Sequence, residues 1–487
     1  MANVCLIYPR DINLNFFPLG LGYIASFLKQ KGHNVIFLDL SEKDFYLLKD
    51  PKVFNADIVG ISITTPQLGM SEKIIKILKS MNSKLPISVG GIHPSFFKDK
   101  FLKDYKDVDY VVYGEGEETT RELCDYIDGK IKDINMIDGL IFRMNEKIII
   151  NKPREMISDL NSLPFPAREL VNYETYLKPP GLIRGIWTKR SANISTSRGC
   201  PGRCTYCGVN YIFNRSYRRR STDNVISEID FLVREYNIDG LYFMDDTFLM
   251  NTEWIEEFTK KFIAKKYNIT WSCYGRVDTV NERILKAIKK AGCVQVEYGI
   301  ESGSKGVLKR IQKNTDIDKI KQAIKMTKEN KLRALGSFIF GFVEDTEEDL
   351  QESIDLAREL NLDFSAAFFA TPYPASEIYK QAVLEDRIIE KDLSKWYVRN
   401  NNIWRVNLSK EAITKYRNKF LKETRFNNLT FFLKDPKLFF NLIFFVIKNY
   451  DAIFKAIKQS FKARSFDDIG YYFYTYLSKD LEIRNKI

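Results

Sequence analysis

Cys200-Pro-Gly-Arg-Cys204-Thr-Tyr-Cys207 sets three thiols at CxxxCxxC spacing within eight residues. Thiolates this close in one loop can hold three corners of a four-iron four-sulfur cluster, which leaves one iron without a protein ligand. Iron–sulfur clusters usually take four cysteines, and structural zinc is closed by four ligands. A three-cysteine loop with no fourth Cys or His beside it therefore points to an open coordination site. The rival reading, half of a zinc knuckle, needs a partner. The chain has only His33 and His93, both far upstream, and its other cysteines, Cys5, Cys124, Cys273 and Cys293, stand singly in apolar surroundings. Isolated cysteines of that kind are packing residues.

Around this loop, residues 191–400 alternate between strand-like and helical patterns. Strands are predicted at Asn193–Ser197, Gly240–Asp245, Ile269–Tyr274, Val294–Ile300, Leu335–Gly341 and Phe364–Thr371. Helices are predicted between them, such as Asp223–Tyr236, with Val225, Ile229 and Leu232 on one face. Another is Thr346–Leu360, opened by Thr346 and Asp349 at capping-box spacing. Six β/α units suit a partial (β/α)6 TIM-type barrel, whose chemistry sits at the carboxyl ends of its strands. Asp245, Asp246, Arg276, Asp278, Glu297, Glu301 and Gly341 fall at or near those ends.

Residues 1–135 carry a second α/β pattern. Short apolar runs at Val4–Tyr8, Val35–Leu40, Ile58–Ile63, Ile87–Val89 and Tyr110–Tyr113 are separated by helical stretches such as Leu19–Lys31 and Ser71–Met81. Five such units predict a doubly wound, Rossmann-like parallel sheet, which binds ligands beyond the carboxyl ends of its strands. The loops there are Tyr8-Pro9-Arg10, Ser62-Ile-Thr64-Thr65, Gly90-Gly91-Ile92-His93 and Gly114-Glu115-Gly116-Glu117. Residues 136–190 read as a connector: a hairpin turned through Asn145-Glu146, then proline-rich loops at Leu163–Pro166 and Lys178–Gly181. Residues 401–487 form a helical, aromatic, basic C-terminal region. Its apolar run, Phe431–Ile447, is broken by Lys434, Asp435 and Lys437 and is too short to span a bilayer. It fits either a cap on the barrel or a helix lying on anionic lipid through residues 429–460.

With 487 residues, 45% of them apolar, the chain is globular and has room for two or three domains. The net charge of +12 is spread through amphipathic helices rather than gathered in one block, so no nucleic-acid partner is expected. Seven cysteines with three in one cluster loop do not make a disulfide framework, and thiolate ligands call for a reducing compartment. The N-terminus lacks the pattern of a signal peptide. The expected location is cytoplasmic, with peripheral contact on the inner face of the membrane if the tail binds lipid.

The stretch Thr196-Ser-Arg-Gly-Cys200 through Tyr206-Cys207 resembles the cluster loop of the radical S-adenosylmethionine enzymes. The resemblance implies a [4Fe-4S] cluster on Cys200, Cys204 and Cys207, with its open iron chelated by S-adenosylmethionine and Tyr206 near the adenine. One electron then cleaves the sulfonium and yields a 5′-deoxyadenosyl radical. Asp245 and Asp246 stand where relatives carry Gly-Gly-Glu, and with Arg276, Glu297, Glu301 and Gly341 they are implied contacts of the methionine, ribose and adenine. The upstream loops resemble the cobalamin-binding domain of one branch of this family, which makes Ser62, Thr64, Gly90, Gly91, His93, Gly114 and Glu115 cofactor contacts by resemblance. The usual Asp-x-His-x-x-Gly loop is replaced by Pro9-Arg-Asp-Ile-Asn-Leu14, so cobalamin is expected base-off with no His ligand. His93 either approaches the corrin ring or serves only its own loop.

The branch implies methylation of an unactivated carbon, and the aromatic tail points to a hydrophobic lipid, isoprenoid or tetrapyrrole-like substrate, or a natural product. The alternative uses the same cofactors for cyclisation, ring rearrangement or other carbon–carbon bond formation. Either reaction needs an external electron donor such as flavodoxin or ferredoxin. Methylthiotransferases carry three further cluster cysteines that this chain lacks. A sensor with a purely structural cluster is the reading from another class, and reductive cleavage of S-adenosylmethionine counts against it.

Overall fold

A computed structural model describes residues 1–10, 16–177, 188–433, 447 and 450–463. Its first sheet has seven strands, β1 (Asn3–Pro9), β2 (Asn34–Leu40), β3 (Ile58–Ser62), β4 (Ile87–Gly90), β5 (Tyr110–Val112), β6 (Leu140–Met144) and β7 (Lys147–Ile150). They lie in the order β2-β1-β3-β4-β5-β6-β7, and the first five are parallel. The chain reverses direction across the sheet between β1 and β3, which opens a crevice at their carboxyl ends. β6 joins β5 antiparallel, pairing Tyr110 with Phe142. Asn145 and Glu146 both take positive φ in the hairpin turn, as a two-residue turn matching the strand twist requires. Ile141 and Phe142 are buried. The hairpin predicted as connector therefore continues the first sheet to Ile150, because these side chains finish the apolar layer left open at the β5 edge.

The second sheet holds β8 (Ser191–Ile194), β11 (Gly240–Phe243), β12 (Thr270–Gly275), β13 (Cys293–Glu301), β14 (Arg333–Phe340) and β15 (Phe364–Phe369), all parallel, in the order β15-β14-β13-β12-β11-β8. It is the open, six-stranded barrel expected from the repeat. Three strands end two or three residues before their predicted limits, at Ile194, Phe243 and Phe369; after the first two, Thr196 and Ser197 turn to bond Asp245 across the strand tips. Two short strands, β9 (Ser197–Arg198) and β10 (Arg218–Arg219), pair antiparallel and clamp the two ends of the cysteine loop between them.

The two halves share one apolar core, in which Phe17, Leu21 and Ala25 meet Ala192, Ile194 and Val225. Asn193 at the tip of β8 makes a peptide-like pair with Phe17, accepting from its N–H at 3.2 Å and donating to its carbonyl at 2.9 Å. The carboxyl ends of the two sheets consequently face one another.

The helix Lys410–Leu433 opens the tail. Phe420 is fully buried against Phe338 and Phe340, and the Arg417 guanidinium lies 4.9 Å over Phe369. This part of the tail covers β14 and β15, as a cap does. Most of the apolar run Phe431–Ile447 lies outside the described residues. Among those described, no helix is long and apolar enough to cross a membrane.

Candidate active site

The cysteine loop is held by backbone contacts at both ends and in its middle. Gly199 sits at φ +87, and a Cβ there would collide with the Ser216 carbonyl, so only glycine allows the chain to leave β9 at this angle. The Thr205 N–H donates to the Ile311 carbonyl at 3.0 Å, and the Thr205 carbonyl accepts from the Ile378 N–H at 3.1 Å. All three thiols are free; Cys204 is buried, and Cys200 and Cys207 are half-buried. The Gly202 N–H points at Cys200 Sγ at 3.4 Å, and Arg276 Nη1 lies 3.8 Å from the same sulfur. Among the described residues no three His, Cys, Asp or Glu side chains converge on a single ion; a cluster, which offers each thiolate a different iron, asks for no such convergence. Burial pushes the Cys207 thiol up to about 11.

A register shift where β13 pairs with β14 leaves Glu301 in the left-handed region at φ +68 and aims its carboxylate at the loop. Glu301 Oε1 accepts from the Tyr206 hydroxyl at 2.8 Å and from Lys313 Nζ at 2.8 Å, and Lys313 lies 3.2 Å from the Tyr206 oxygen. Burial opposes the Lys313 charge, but Glu301 and the nearby Cys204 outweigh it and hold the ammonium above its ordinary range. Burial and Glu301 push the Tyr206 phenol well above its usual value. Lys313 escaped the sequence reading, since a lysine in Gln312-Lys-Asn314 looks like surface and only the fold buries it.

The two carboxylates after β11 separate. Asp245 is buried and accepts from the Thr196 N–H at 3.0 Å, the Thr196 hydroxyl at 2.8 Å and the Ser197 hydroxyl. It positions the strand entering the cluster loop. Asp246 accepts from the Gly199 N–H at 3.2 Å and reaches a cavity. Although solvent touches it, the surrounding protein desolvates it and, with Asp245, pushes its carboxyl up to about 6. Glu297 is taken up inside the barrel by the Tyr242 hydroxyl and the Gln295 amide, each at 3.3 Å. Gly341, at φ +91, donates with Phe342 to Asp345 and packs under Ile413 of the tail helix. Arg276 forms a bidentate pair with Asp278 as well as approaching Cys200. The structure thus gathers Tyr206, Arg276 and Glu301 around the cysteines, places Asp246 on a cavity wall, and gives Asp245, Glu297 and Gly341 interior work.

That cavity, of about 510 Å³, is walled by Tyr8, Arg10 and Thr64 from the first sheet and by Ser195, Ser197 and Asp246 from the barrel. A groove of about 270 Å³ adjoins it, sharing Leu19, Ser195, Arg198 and Phe213, and runs past Gly60, Ser62, Gly90, Gly91 and Gly114. A Cβ at Gly114 would meet nothing within 4 Å and would project into open space. Thr64 lies on the chamber side, its N–H and hydroxyl both donating to Gln67 Oε1 at 2.9 Å.

Two residues expected in the groove have other attachments. Glu115 touches it but is occupied by Arg198, Arg218 and the Ile157 N–H at 2.7 to 3.0 Å. His93 faces the opposite side. Its Nδ1 lies 3.0 Å from the Thr65 hydroxyl, and its ring packs on Phe97 and Phe101 beside a different cavity. The helix that begins at Ile92 turns it there, onto its own loop. Burial pulls its imidazole down to about 4 from an ordinary 6.5. The unfolded chain then takes up a proton that the folded chain refuses, so stability falls as pH drops from 6.5 toward 4, by about 3 kcal/mol at pH 4. A His93→Phe variant should escape this loss. Urea midpoints at pH 7 and pH 4 are expected to show the difference between wild type and variant shrinking by that amount; a constant difference would contradict it.

Comparison with known families matches residues 194–357 to the Radical SAM superfamily and residues 9–124 to the B12 binding domain. An uncharacterized methyltransferase of Pyrococcus horikoshii is 33% identical over 382 residues, covering 78% of this chain and 81% of that one. The chain belongs to the cobalamin-dependent radical S-adenosylmethionine methyltransferase family. The anaerobic magnesium-protoporphyrin IX monomethyl ester cyclase of Rubrivivax gelatinosus is 29% identical over 395 residues, 79% of this chain and 69% of that one. The solved cobalamin-dependent S-adenosylmethionine radical enzyme OxsB shares the fold at TM-score 0.70 and 17% identity, over 100% of this chain and 80% of that one. The cofactors are therefore a [4Fe-4S] cluster, S-adenosylmethionine and cobalamin. The residues present suit them: three free thiols on one loop, an accessible carboxylate at the chamber wall, and a groove floored by glycine and serine.

Proposed function

We propose that the protein methylates an unactivated carbon of a hydrophobic substrate, with the chamber between the two sheets as the reaction space. The observation that carries this reading is the continuity of chamber and groove, since a methyl donor in one and a cluster-bound cofactor at the other then address the same volume. When bound, the cluster and S-adenosylmethionine supply a hydrogen-abstracting radical, and cobalamin supplies the methyl group. The chain's own residues do the positioning. Cys200, Cys204 and Cys207 hold the cluster, Tyr206 is fixed by Glu301 and Lys313, and Asp246 holds an ammonium group at the chamber wall. Phe16, Phe17, Leu19, Phe213 and Met244 line an apolar wall, which keeps water from a reactive intermediate and suits a lipid, isoprenoid, tetrapyrrole-like or other natural-product substrate. The work is cytoplasmic, at the inner membrane face if residues 429–460 engage lipid.

Anaerobic reconstitution with iron, sulfide and hydroxocobalamin, then reductant and S-adenosylmethionine, should give 5′-deoxyadenosine and methylcobalamin by mass spectrometry. A protein that retains no cobalamin would overturn the reading of the first sheet. The kinship with a cyclase favours a second reading, carbon–carbon bond formation without methyl transfer. Deoxyadenosine with cobalamin bound but never methylated would select it.

The groove has its own test. A Gly114→Leu side chain would fill open space and add about 1–2 kcal/mol of strain at φ +83. The variant is expected to lose retention of hydroxocobalamin on gel filtration while still cleaving S-adenosylmethionine. Undiminished retention would move cobalamin out of this groove.

A further inference from the structure

We infer that a basic concavity on the outer side of the cysteine loop is the docking face for a small acidic one-electron carrier protein. The inference rests on the reductive-cleavage reading of that loop. The concavity, of about 770 Å³, is walled by Pro201, Gly202 and Arg203 and shares no lining residue with the substrate chamber. Five cations line it, Arg203, Arg276, Lys305, Lys309 and Lys319, against two carboxylates, Asp278 and Asp316. Both carboxylates are already engaged, Asp278 by Arg276 and Asp316 by Lys319. Arg203, Lys305 and Lys309 are exposed and have no anionic partner among the described residues. With both carboxylates engaged, these three side chains leave the wall with a net positive charge.

The wall is also thin. Arg276 lines the concavity and reaches to 3.8 Å from Cys200 Sγ, and Gly202 leaves it room, since a Cβ there would stand 2.8 Å from Arg276 Nη1. Electron tunnelling falls off steeply with distance, so a carrier seated here is separated from a cluster ligand by about one side chain. The concavity is separate from the chamber proposed for substrate. The step moves one electron and no atoms: a flavin hydroquinone or reduced iron–sulfur carrier is oxidised by one electron, and the cluster is reduced from the 2+ to the 1+ state. Charge complementarity of this kind acts chiefly on association rate and is removed by salt.

The test uses full-length reconstituted enzyme, flavodoxin hydroquinone as the protein donor, and reduced methyl viologen as a small cationic donor that a basic face does not attract. A Lys305→Glu/Lys309→Glu variant is expected to raise the apparent KM for flavodoxin by about tenfold or more at low ionic strength. The difference should close near ~0.5 M salt, where screening reaches only a few ångströms, and 5′-deoxyadenosine formation with methyl viologen should not fall. An unaltered flavodoxin dependence would overturn the inference. So would equal losses with both donors in this variant and in Lys305→Gln/Lys309→Gln, which mean damage to the site rather than to docking. Wild-type enzyme that gives no deoxyadenosine with either donor fails at the cluster reading instead, and the docking face falls with it.

Discussion

An Arg198→Met variant is expected to lose about 3–5 kcal/mol of stability at neutral pH, the range seen when one partner of a buried ion pair is removed. Arg198, at the mouth of the cysteine loop, reaches back to the first sheet. Its Nη1 donates to Glu115 at 2.7 Å and its Nη2 to Glu117 at 2.5 Å, and it lies 5.3 Å over the Tyr23 ring. The carboxylate side chains are only 4% and 3% exposed, so neither can recover hydration when the guanidinium is taken away. Glu115 would keep Arg218; Glu117 would lose the one cation recorded beside it among the described residues. The pH dependence has a definite sign. Burial raises the Glu115 carboxyl, but Arg218 and Arg198 outweigh it and hold it below its ordinary 4.5. The pairing therefore stabilises fully above about pH 4.5 and is lost as pH falls through the lower, folded value. Urea midpoints of the variant and wild type should differ most near pH 7 and converge on acidification. A difference under 1 kcal/mol at pH 7 would mean that water or another cation replaces the arginine.

This network marks the limit of what the chain discloses in one dimension. The cysteine spacing, the six strand–helix units and the five strands before them are legible because they are local, written in neighbours and in periods of two or 3.6 residues. Arg198 and Glu115 lie 83 positions apart and come from different sheets; nothing local marks them as partners, and Glu115 reads equally well as a ligand contact. Asp245 and Asp246 show a subtler limit. Successive residues on an extended segment point to opposite sides, so one of the pair must face inward and the other outward, yet the spacing does not say which. The Thr196 and Ser197 donors decide it in favour of burying Asp245. His93 is turned by a helix start rather than a strand, and Lys313 is buried only because the Glu301 bulge offers it a carboxylate. The hairpin Leu140–Ile150 chose the β5 edge through Ile141 and Phe142, a choice among distant edges that its own sequence leaves open.

Replacing Cys204 by Ala should abolish the cluster's visible absorbance and reduce 5′-deoxyadenosine formation to background while leaving cobalamin bound. Cys204 is the most enclosed of the three thiols, so no water or external thiol can readily take its place as a ligand. The loop itself should persist, because what holds it is backbone: the Thr205 N–H on Ile311, the Ile378 N–H on the Thr205 carbonyl, and the β9–β10 ladder at its base. A Cys→Ala change leaves all of these in place and opens only a small void. The groove that Gly114 and Gly90 line draws on different loops, so retention of hydroxocobalamin should match wild type. Paired with Gly114→Leu, which is expected to lose cobalamin and keep cleavage, the two variants separate the cofactors. Persistence of iron and deoxyadenosine in Cys204→Ala would refute the three-thiolate assignment. Joint loss of cluster and cobalamin would show that the chamber between them is organised by the cluster itself, and the two sites would then have to be treated as one cooperative unit rather than as two domains meeting across a shared volume.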